Sequence, residues 1–537
     1  MQEISLKESL FPAQSSSPVW EISIGEKLRE MTALNPAAPA LVEVTVEGVT
    51  ERRWTYGELL ADAEQLAEAL STRFAPGERV VVWAHNIPEW VLMEYACALS
   101  GLVLVTANPA FQPKELRYVL EQSGAVALFL VESYRGNPMA EIGREATEGI
   151  AAIREVTLLT DRDAMLARGE RTGGLPDVQP GDAAQIQYTS GTTGFPKGAV
   201  LSHRGLLNNA RFYMDRSGTT ADNVWLNPMP LFHTSGCGMS VLGAMQVGAS
   251  IVLVSLFDPA VVNRLVEEER ISGFVAVPTM ILGMVEAFAQ EPRDFSSVRV
   301  ISSGGSMVPP ELVRSATNTF GCDFAILYGQ TEYSPVVTQQ HLGDAFDDIC
   351  TTIGQPIDHT DVSIRSVDGN AVVPLGEVGE ICARGPCTML EYHANPEATA
   401  ETIDEQGWLH TGDLGTMDAR GFVKITGRVK EMIIRGGENH FPAEIENTLL
   451  EHPDVAEIAV IGLPDEKWGE IIAAFYRSES NVDVDEGSLR AHCRAHLAPQ
   501  KTPVVWQRVT SFPLTGSGKI QKFALRDLYT SGHYGPA

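Results

Sequence analysis

From Trp54 onward the chain alternates short, uniformly apolar runs with amphipathic stretches of helical period, and this alternation restricts the fold more than any other feature. In residues 56–74, Leu59, Ala63, Leu66, Ala67 and Leu70 fall on one helical face. RVVVWA at 79–84 reads as a buried strand, and residues 88–100 read as a helix with Pro88 at its start and Gly101 just past its end. LVLVTA from Leu102 is a second strand, residues 113–122 a helix closed by Gly124, and AVALFL a third strand. Strands and helices alternating at this pitch build parallel-type sheets with helices packed on them, an α/β fold.

A chain of 537 residues exceeds what one core usually supports, so at least two domains are expected. The Gly- and Pro-rich stretch 168–180 reads as a loop. From Thr411, TGDLGTMDARGFVKITGRVK alternates short strands and Gly turns, and a compact tail follows with a helix at 442–450 and a strand at AEIAVIG. The division expected is a large N-terminal domain, 1–427, and a small α+β C-terminal domain, 428–537. A formal net charge of −29 repels phosphate backbones, which argues against a nucleic-acid partner. Seven cysteines at irregular spacing, with no C-x-x-C pair, fit a reducing compartment better than a disulfide framework or zinc site. No apolar run approaches a membrane span and the first residues lack an apolar leader, so the expectation is a cytoplasmic protein.

The segment with the most chemical content is YTSGTTGFPKG at 188–198. Its glycines allow close backbone approach, its hydroxyls donate hydrogen bonds and Lys197 supplies a cation, a combination suited to a loop around phosphates. It is not a Walker A loop, because Pro196 stands where that motif needs Gly and Gly198 where it needs Ser or Thr.

With this loop the chain resembles the adenylate-forming superfamily of acyl-CoA ligases, luciferases and nonribosomal-peptide adenylation domains. Further motifs follow in the family's order: PLFHTSG at Pro230, SSGGSMVP at Ser302, LYGQTEYSP at Leu327, GEVGEICARGP at Gly376, HTGDLG at His410, GRVKEMIIRGGENHFPAEIE at Gly427 and PLTGSGKIQK at Pro513. Their joint order carries the likeness; singly, each is a common turn or loop.

The resemblance implies a set of roles. Thr189, Ser190, Gly191, Thr192, Thr193, Gly194 and Lys197 would surround the phosphates of ATP. Tyr328 would stack on adenine beside Gly329 and Gln330, Thr331 would meet the α-phosphate, and Glu332 would hold Mg²⁺ as a hard oxygen ligand. Gly304, Gly305 and Ser306 would form the wall between adenine and acyl group, where missing side chains leave room; a plain Gly turn accounts for the same residues. Asp413, acceptor-only when ionised, would take the ribose hydroxyls with help from Arg428. Lys519, in the Gly-flanked TGSGK turn, matches the catalytic lysine that bridges carboxylate and α-phosphate. Lys430 matches the hinge about which the C-terminal domain swings between half-reactions, after which Gly437 and Glu438 would pass beside the pantetheine arm of coenzyme A.

His233 stands where relatives line the acyl pocket. Relatives that activate α-amino acids commonly carry an Asp near this motif, and LFHTSG has none. Acetate-type relatives have Trp immediately before the Gln of the Q-T-E motif; Gly329 here implies an open pocket for a medium-chain fatty, aryl or similarly bulky acid. Tyr333 and Met239 suit either a pocket lining or plain packing. The reading is thus an ATP-dependent acid–CoA ligase: the acid and ATP give acyl-AMP and pyrophosphate, then coenzyme A gives acyl-CoA and AMP. An adenylase that loads carrier-protein pantetheine is the alternative, while a luciferase-type oxygenase or a scaffold that has lost turnover finds less support in the residues. A homodimer is common among similar proteins.

Overall fold

The computed structural model describes residues 4–15, 17–189, 196–436, 438–465, 467–478, 484–513 and 520–533. The chain packs into two compact units, one formed by Phe11–Val362 and Ala383–His410, the other by Met1–Leu10, Ser363–Cys382 and Thr411–Ala537. The division expected at 427/428 falls inside the second unit, at the end of strand Val423–Arg428.

The first unit contains two large sheets. In one, strands Ala183–Thr189, Val103–Thr106, Arg79–Trp83, Ala127–Leu130 and Glu155–Leu158 lie side by side and parallel, in that order. Lys197–Ser202 and the two-residue Glu391–Tyr392 extend the Ala183–Thr189 edge in antiparallel fashion. In the other, Pro39–Val44, Ser250–Val254, Val224–Asn227, Gly273–Val275, Val300–Gly304 and Asp323–Gly329 form six parallel strands with antiparallel edges.

The helices follow the sequence cues. Tyr56–Ser71 starts at a capping box in which Thr55 and Glu58 satisfy each other's backbone N–H groups, and all five apolar residues named above are buried. Pro88–Ser100 ends at Gly101 with φ 68°, and Pro113–Ser123 at Gly124 with φ 60°; this left-handed cap favours glycine. Residues 235–242 were not anticipated: Ser235–Leu242 winds as a π-helix, buried along its length. Tyr333 and Met239 are buried, 0% and 1% exposed.

A five-stranded sheet that includes Gly379–Arg384, Leu409–Met417 and Val423–Arg428 accounts for the expected short strands and Gly turns. A further sheet pairs Ile433–Arg435, Gly469–Ser478, Val455–Asp465 and their neighbours. Its two faces carry separate cores, one around Ile445, Leu449, Leu489 and Trp506, the other around Phe475, Val509 and Leu525. Helices on both faces of a mixed sheet make this tail α+β, as expected. Among the described residues no helix is long and apolar enough to cross a membrane.

Candidate active site

In doubly wound sheets, ligands gather beyond the carboxyl ends of parallel strands. The family motifs of the first unit sit there. Val224–Asn227 leads into the His233 segment, Val300–Gly304 ends on the Gly-Gly-Ser turn, Asp323–Gly329 ends on Gln330–Glu332, and Ala183–Thr189 ends where the phosphate loop begins.

The loop's two stems are paired. Thr189 lies opposite Lys197 in the antiparallel register, and the Thr189 hydroxyl donates to the Lys197 carbonyl at 3.4 Å. Tyr118 Oη donates to the Pro196 carbonyl at 2.9 Å. The expected phosphate-binding residues Ser190, Gly191, Thr192, Thr193 and Gly194 lie outside the described residues, as do Lys519 and Gly437.

Glu332 sits in a single 3-10 turn, Thr331–Tyr333, and is 8% exposed. Its carbonyl accepts from Met389 N at 2.8 Å, and Ser334, at φ 70°, closes the turn. Tyr392 Oη donates to Glu332 Oε1 at 2.6 Å, and Lys197 Nζ stands 4.2 Å from the centroid of the same ring. Burial, reinforced by the Glu332 carboxylate, pushes the Tyr392 phenol far above its ordinary range, so it stays protonated and donates. Lys197, Tyr392 and Glu332 thus form one chain: cation over ring, hydroxyl to carboxylate. Glu332 Oε2 makes no hydrogen bond among the described residues, which suits an oxygen ligand for a hard cation. The Gln330 amide Nε2 is buried without a partner there, a donor left over for a ligand.

Tyr392 escaped the sequence reading. It follows the GEVGEICARGP motif closely, but only the pairing of Glu391–Tyr392 with Lys197–Ser202 brings it to Glu332.

The glycines at the strand ends answer first to backbone packing. A Cβ on Gly304 would lie 2.3 Å from the Leu327 carbonyl oxygen, and one on Gly329 would lie 2.0 Å from that of Pro335. Gly305, at φ 77°, faces open space. Ser306 is exposed and Tyr328 buried, opposite Thr338 in the sheet. His233 is exposed; its Nδ1 accepts from Ser235 N at 3.2 Å and lies 3.0 Å from Ser235 Oγ, which leaves Nε2 as the N–H.

In the second unit, Asp413 and Arg428 are cross-strand neighbours, with Arg428 Nε 2.8 Å from Asp413 Oδ1. The Asp413 side chain is 9% exposed and that of Arg428 50%. Asp413 N donates to Thr411 Oγ1 at 3.1 Å, fixing the turn. Lys430 is exposed in the 3-10 turn Val429–Glu431. Glu438 is exposed at the start of strand Glu438–His440. On the other side of strand Ile433–Arg435 stands Trp468, 43% exposed, with Arg435 and Lys467 centred 5.6 and 4.8 Å from its ring. A Cβ on Gly436, at φ 62°, would meet that indole at 3.0 Å. Trp468 has no sequence signal beyond being a tryptophan in a charged turn.

The profile of the AMP-binding enzyme family matches residues 28–393, and that of the AMP-binding enzyme C-terminal domain residues 444–519. YngI of Bacillus subtilis strain 168 is 36% identical over 504 residues, covering 88% of this chain and 92% of that protein. The mitochondrial medium-chain acyl-CoA ligase ACSF2 of Danio rerio is 34% identical over 555 residues, covering 97% and 91%. The solved structure of o-succinylbenzoate CoA synthetase (MenE) from Bacillus subtilis, in complex with its acyl-adenylate intermediate, superposes with a TM-score of 0.82 at 27% identity, covering 95% of this chain and 99% of that one. The chain belongs to the AMP-binding enzyme family. Its activity is ATP-dependent, AMP-forming ligation of a carboxylic acid to coenzyme A, with acid, ATP and coenzyme A as substrates.

Proposed function

We propose that the acid is a medium-chain fatty, aryl or similarly bulky carboxylic acid, and that the residues named above carry the two half-reactions. The observation that bears most weight is the Lys197–Tyr392–Glu332 chain beside the stems of the phosphate loop. In the first half-reaction an oxygen of the substrate carboxylate attacks the α-phosphorus, the bond from that phosphorus to the β-bridging oxygen breaks, and pyrophosphate leaves. Three anionic groups converge, so positioning and charge neutralisation dominate the barrier. Lys197 faces the phosphates, Thr331 the α-phosphate, and Lys519 bridges the attacking carboxylate and the α-phosphate. Mg²⁺ would be held at Glu332 through Oε2 and would neutralise phosphate charge. Tyr328, with Gly304, Gly305 and Ser306, frames adenine; Gly329 and Gln330 border it, and Asp413, steadied by Arg428, receives the ribose hydroxyls.

In the second half-reaction the thiol sulfur of coenzyme A attacks the acyl carbonyl carbon, AMP leaves, and the thiol proton passes to solvent. Residues 428–537 turn about Lys430 between the two steps, so that Gly437 and Glu438 meet the pantetheine arm. Trp468, between two cations, offers a surface for the nucleotide end of coenzyme A. His233 borders the acyl group. The acid class draws support from Gly329, from the medium-chain acid in the name of ACSF2 and from the aryl acid in that of MenE. A cytoplasmic protein, a homodimer in solution, belongs to the same proposal.

A panel of acids with ATP, Mg²⁺ and free coenzyme A tests it. Medium-chain and aryl acids are expected to release pyrophosphate and form thioesters, acetate and amino acids far less. Strong activity confined to acetate would overturn the acid class, and acyl-AMP formed without any thioester from free coenzyme A would favour a carrier-protein acceptor.

A further inference from the structure

Three residues past the expected catalytic lysine stands a second lysine that neither half-reaction uses. Lys522 opens the helix Lys522–Thr530, whose Leu525 is fully buried. Its Nζ lies 2.6 Å from Glu431 Oε2 and 2.8 Å from Glu446 Oε1. The lysine side chain is 21% exposed, those of Glu431 and Glu446 32% and 14%. Burial pushes the lysine's pKa down, but Glu446 and then Glu431 outweigh it and hold it above its ordinary value. Glu446 Oε1 also accepts from Val460 N at 2.6 Å, so the node is tied to the central sheet of the tail as well as to helix Pro442–Leu450.

The three partners come from places with distinct meanings. Glu431 is the last residue of the turn that holds Lys430. Glu446 belongs to the body of the tail. Lys522 follows the stem of the TGSGK segment, where Gln521 N donates to the Pro513 carbonyl at 2.8 Å and so joins the described residues on either side of 514–519. One ammonium therefore links the hinge turn, the body and the base of the lysine segment. A cation shared by two largely buried carboxylates is costly to remove, because both anions are left uncompensated.

We propose that Lys522 is a positioning residue for adenylation. It joins Glu431, Glu446 and the described flanks Pro513 and Gln521 of the lysine segment in one body, so that rotation about Lys430 is absorbed in residues 428–430 and moves those flanks together with the tail. This rests on the reading of Lys430 as hinge and Lys519 as catalytic lysine. The coenzyme A face is less dependent on the node, since strand Ile433–Arg435 follows the hinge turn directly along the backbone.

The test compares full-length wild type with K519A, K522M, K522R and E431Q in two assays: pyrophosphate release from acid and ATP, and thioester formation from supplied acyl-AMP and coenzyme A. For K522M, a misplaced reacting group predicts a fall of about 10- to 100-fold in the adenylation kcat, with KM for ATP little changed. Thioester formation should fall much less, K522R should recover most of the loss, and the melting temperature of K522M should fall while melting curves show it still folded at the assay temperature. An equal fall in both assays, wild-type adenylation, or no rescue by K522R overturns the proposal. Should K522M not fold, E431Q, which keeps the Glu446 contact, is expected to show a smaller loss of the same asymmetry; a symmetric loss or none is equally fatal. K519A separates the two readings. If it impairs both assays alike, the catalytic-lysine reading itself fails, whereas if it impairs adenylation alone and K522M does not, only the role of Lys522 falls.

Discussion

Replacing Tyr392 by Phe removes one oxygen atom and leaves the ring beneath Lys197 in place. That oxygen donates the 2.6 Å hydrogen bond to Glu332 Oε1, on a carboxylate 8% exposed. A hydrogen bond to a charged group contributes about 1.5–3 kcal/mol, and at ~1.4 kcal/mol per tenfold this bounds the effect at roughly 10- to 100-fold. Water that enters in place of the hydroxyl would recover part of it, so an effect near the lower end, about 10-fold, is expected. If Glu332 holds Mg²⁺, the loss should appear chiefly as a higher Mg²⁺ concentration for half-maximal pyrophosphate release at fixed ATP. Y392A, which also takes the ring from under Lys197, should in addition raise KM for ATP. The assay is acid-dependent pyrophosphate release titrated with Mg²⁺, with melting curves to show that the fold is intact. An unchanged Mg²⁺ dependence in a well-folded Y392F would refute the argument, because the carboxylate would then be oriented without the phenol.

Other expectations follow from the same contacts. K519A should abolish most adenylation while thioester formation from supplied acyl-AMP stays close to wild type, measured by the paired assays above. D413N and R428M should each raise KM for ATP, and the double variant should be little worse than D413N alone, since both act on one site. G304A, whose Cβ would lie 2.3 Å from the Leu327 carbonyl oxygen, should cost about 1–3 kcal/mol or more and lower the melting temperature with any acid. Glu94 is buried at 2% exposure; burial raises its carboxyl pKa well above 4.5, and the hydrogen bond from Gln185 offsets this only in part. The folded state therefore keeps a proton that the unfolded state loses above that value, and stability falls by up to about 1.4 kcal/mol per pH unit as pH rises toward the folded pKa. E94Q should gain on wild type in melting temperature between pH 5 and pH 8; a constant difference would mean that Glu94 is charged in the fold.

The part of this molecule legible in its sequence is the part governed by local rules. Pro88 and Gly101 bracket a helix because proline lacks the N–H that a first turn leaves unused and glycine adopts the left-handed cap; helix Pro88–Ser100 has the bounds read from those two residues. Helix Pro442–Leu450 likewise begins at a proline, but it ends at Glu451 without a glycine cap. Contacts between distant segments were not legible. Tyr392 reaches Glu332 from 60 positions away, through a strand of two residues too short to leave a periodic trace. Glu94 looks like a surface carboxylate until helix Pro88–Ser100 proves buried on nearly every side, with Gln185 waiting in the neighbouring strand. The glycines show the limit most sharply. Gly304 and Gly329 read as space left for a ligand, yet each stands where a backbone carbonyl, that of Leu327 in the next strand or of Pro335 in the following turn, comes too close for any Cβ, so a glycine in a binding motif answers to the backbone before it answers to the substrate. Chain-wide motif order identifies the chemistry because relatives share the site; which atoms hold the site in shape is decided by pairings between segments, and those the linear chain does not display.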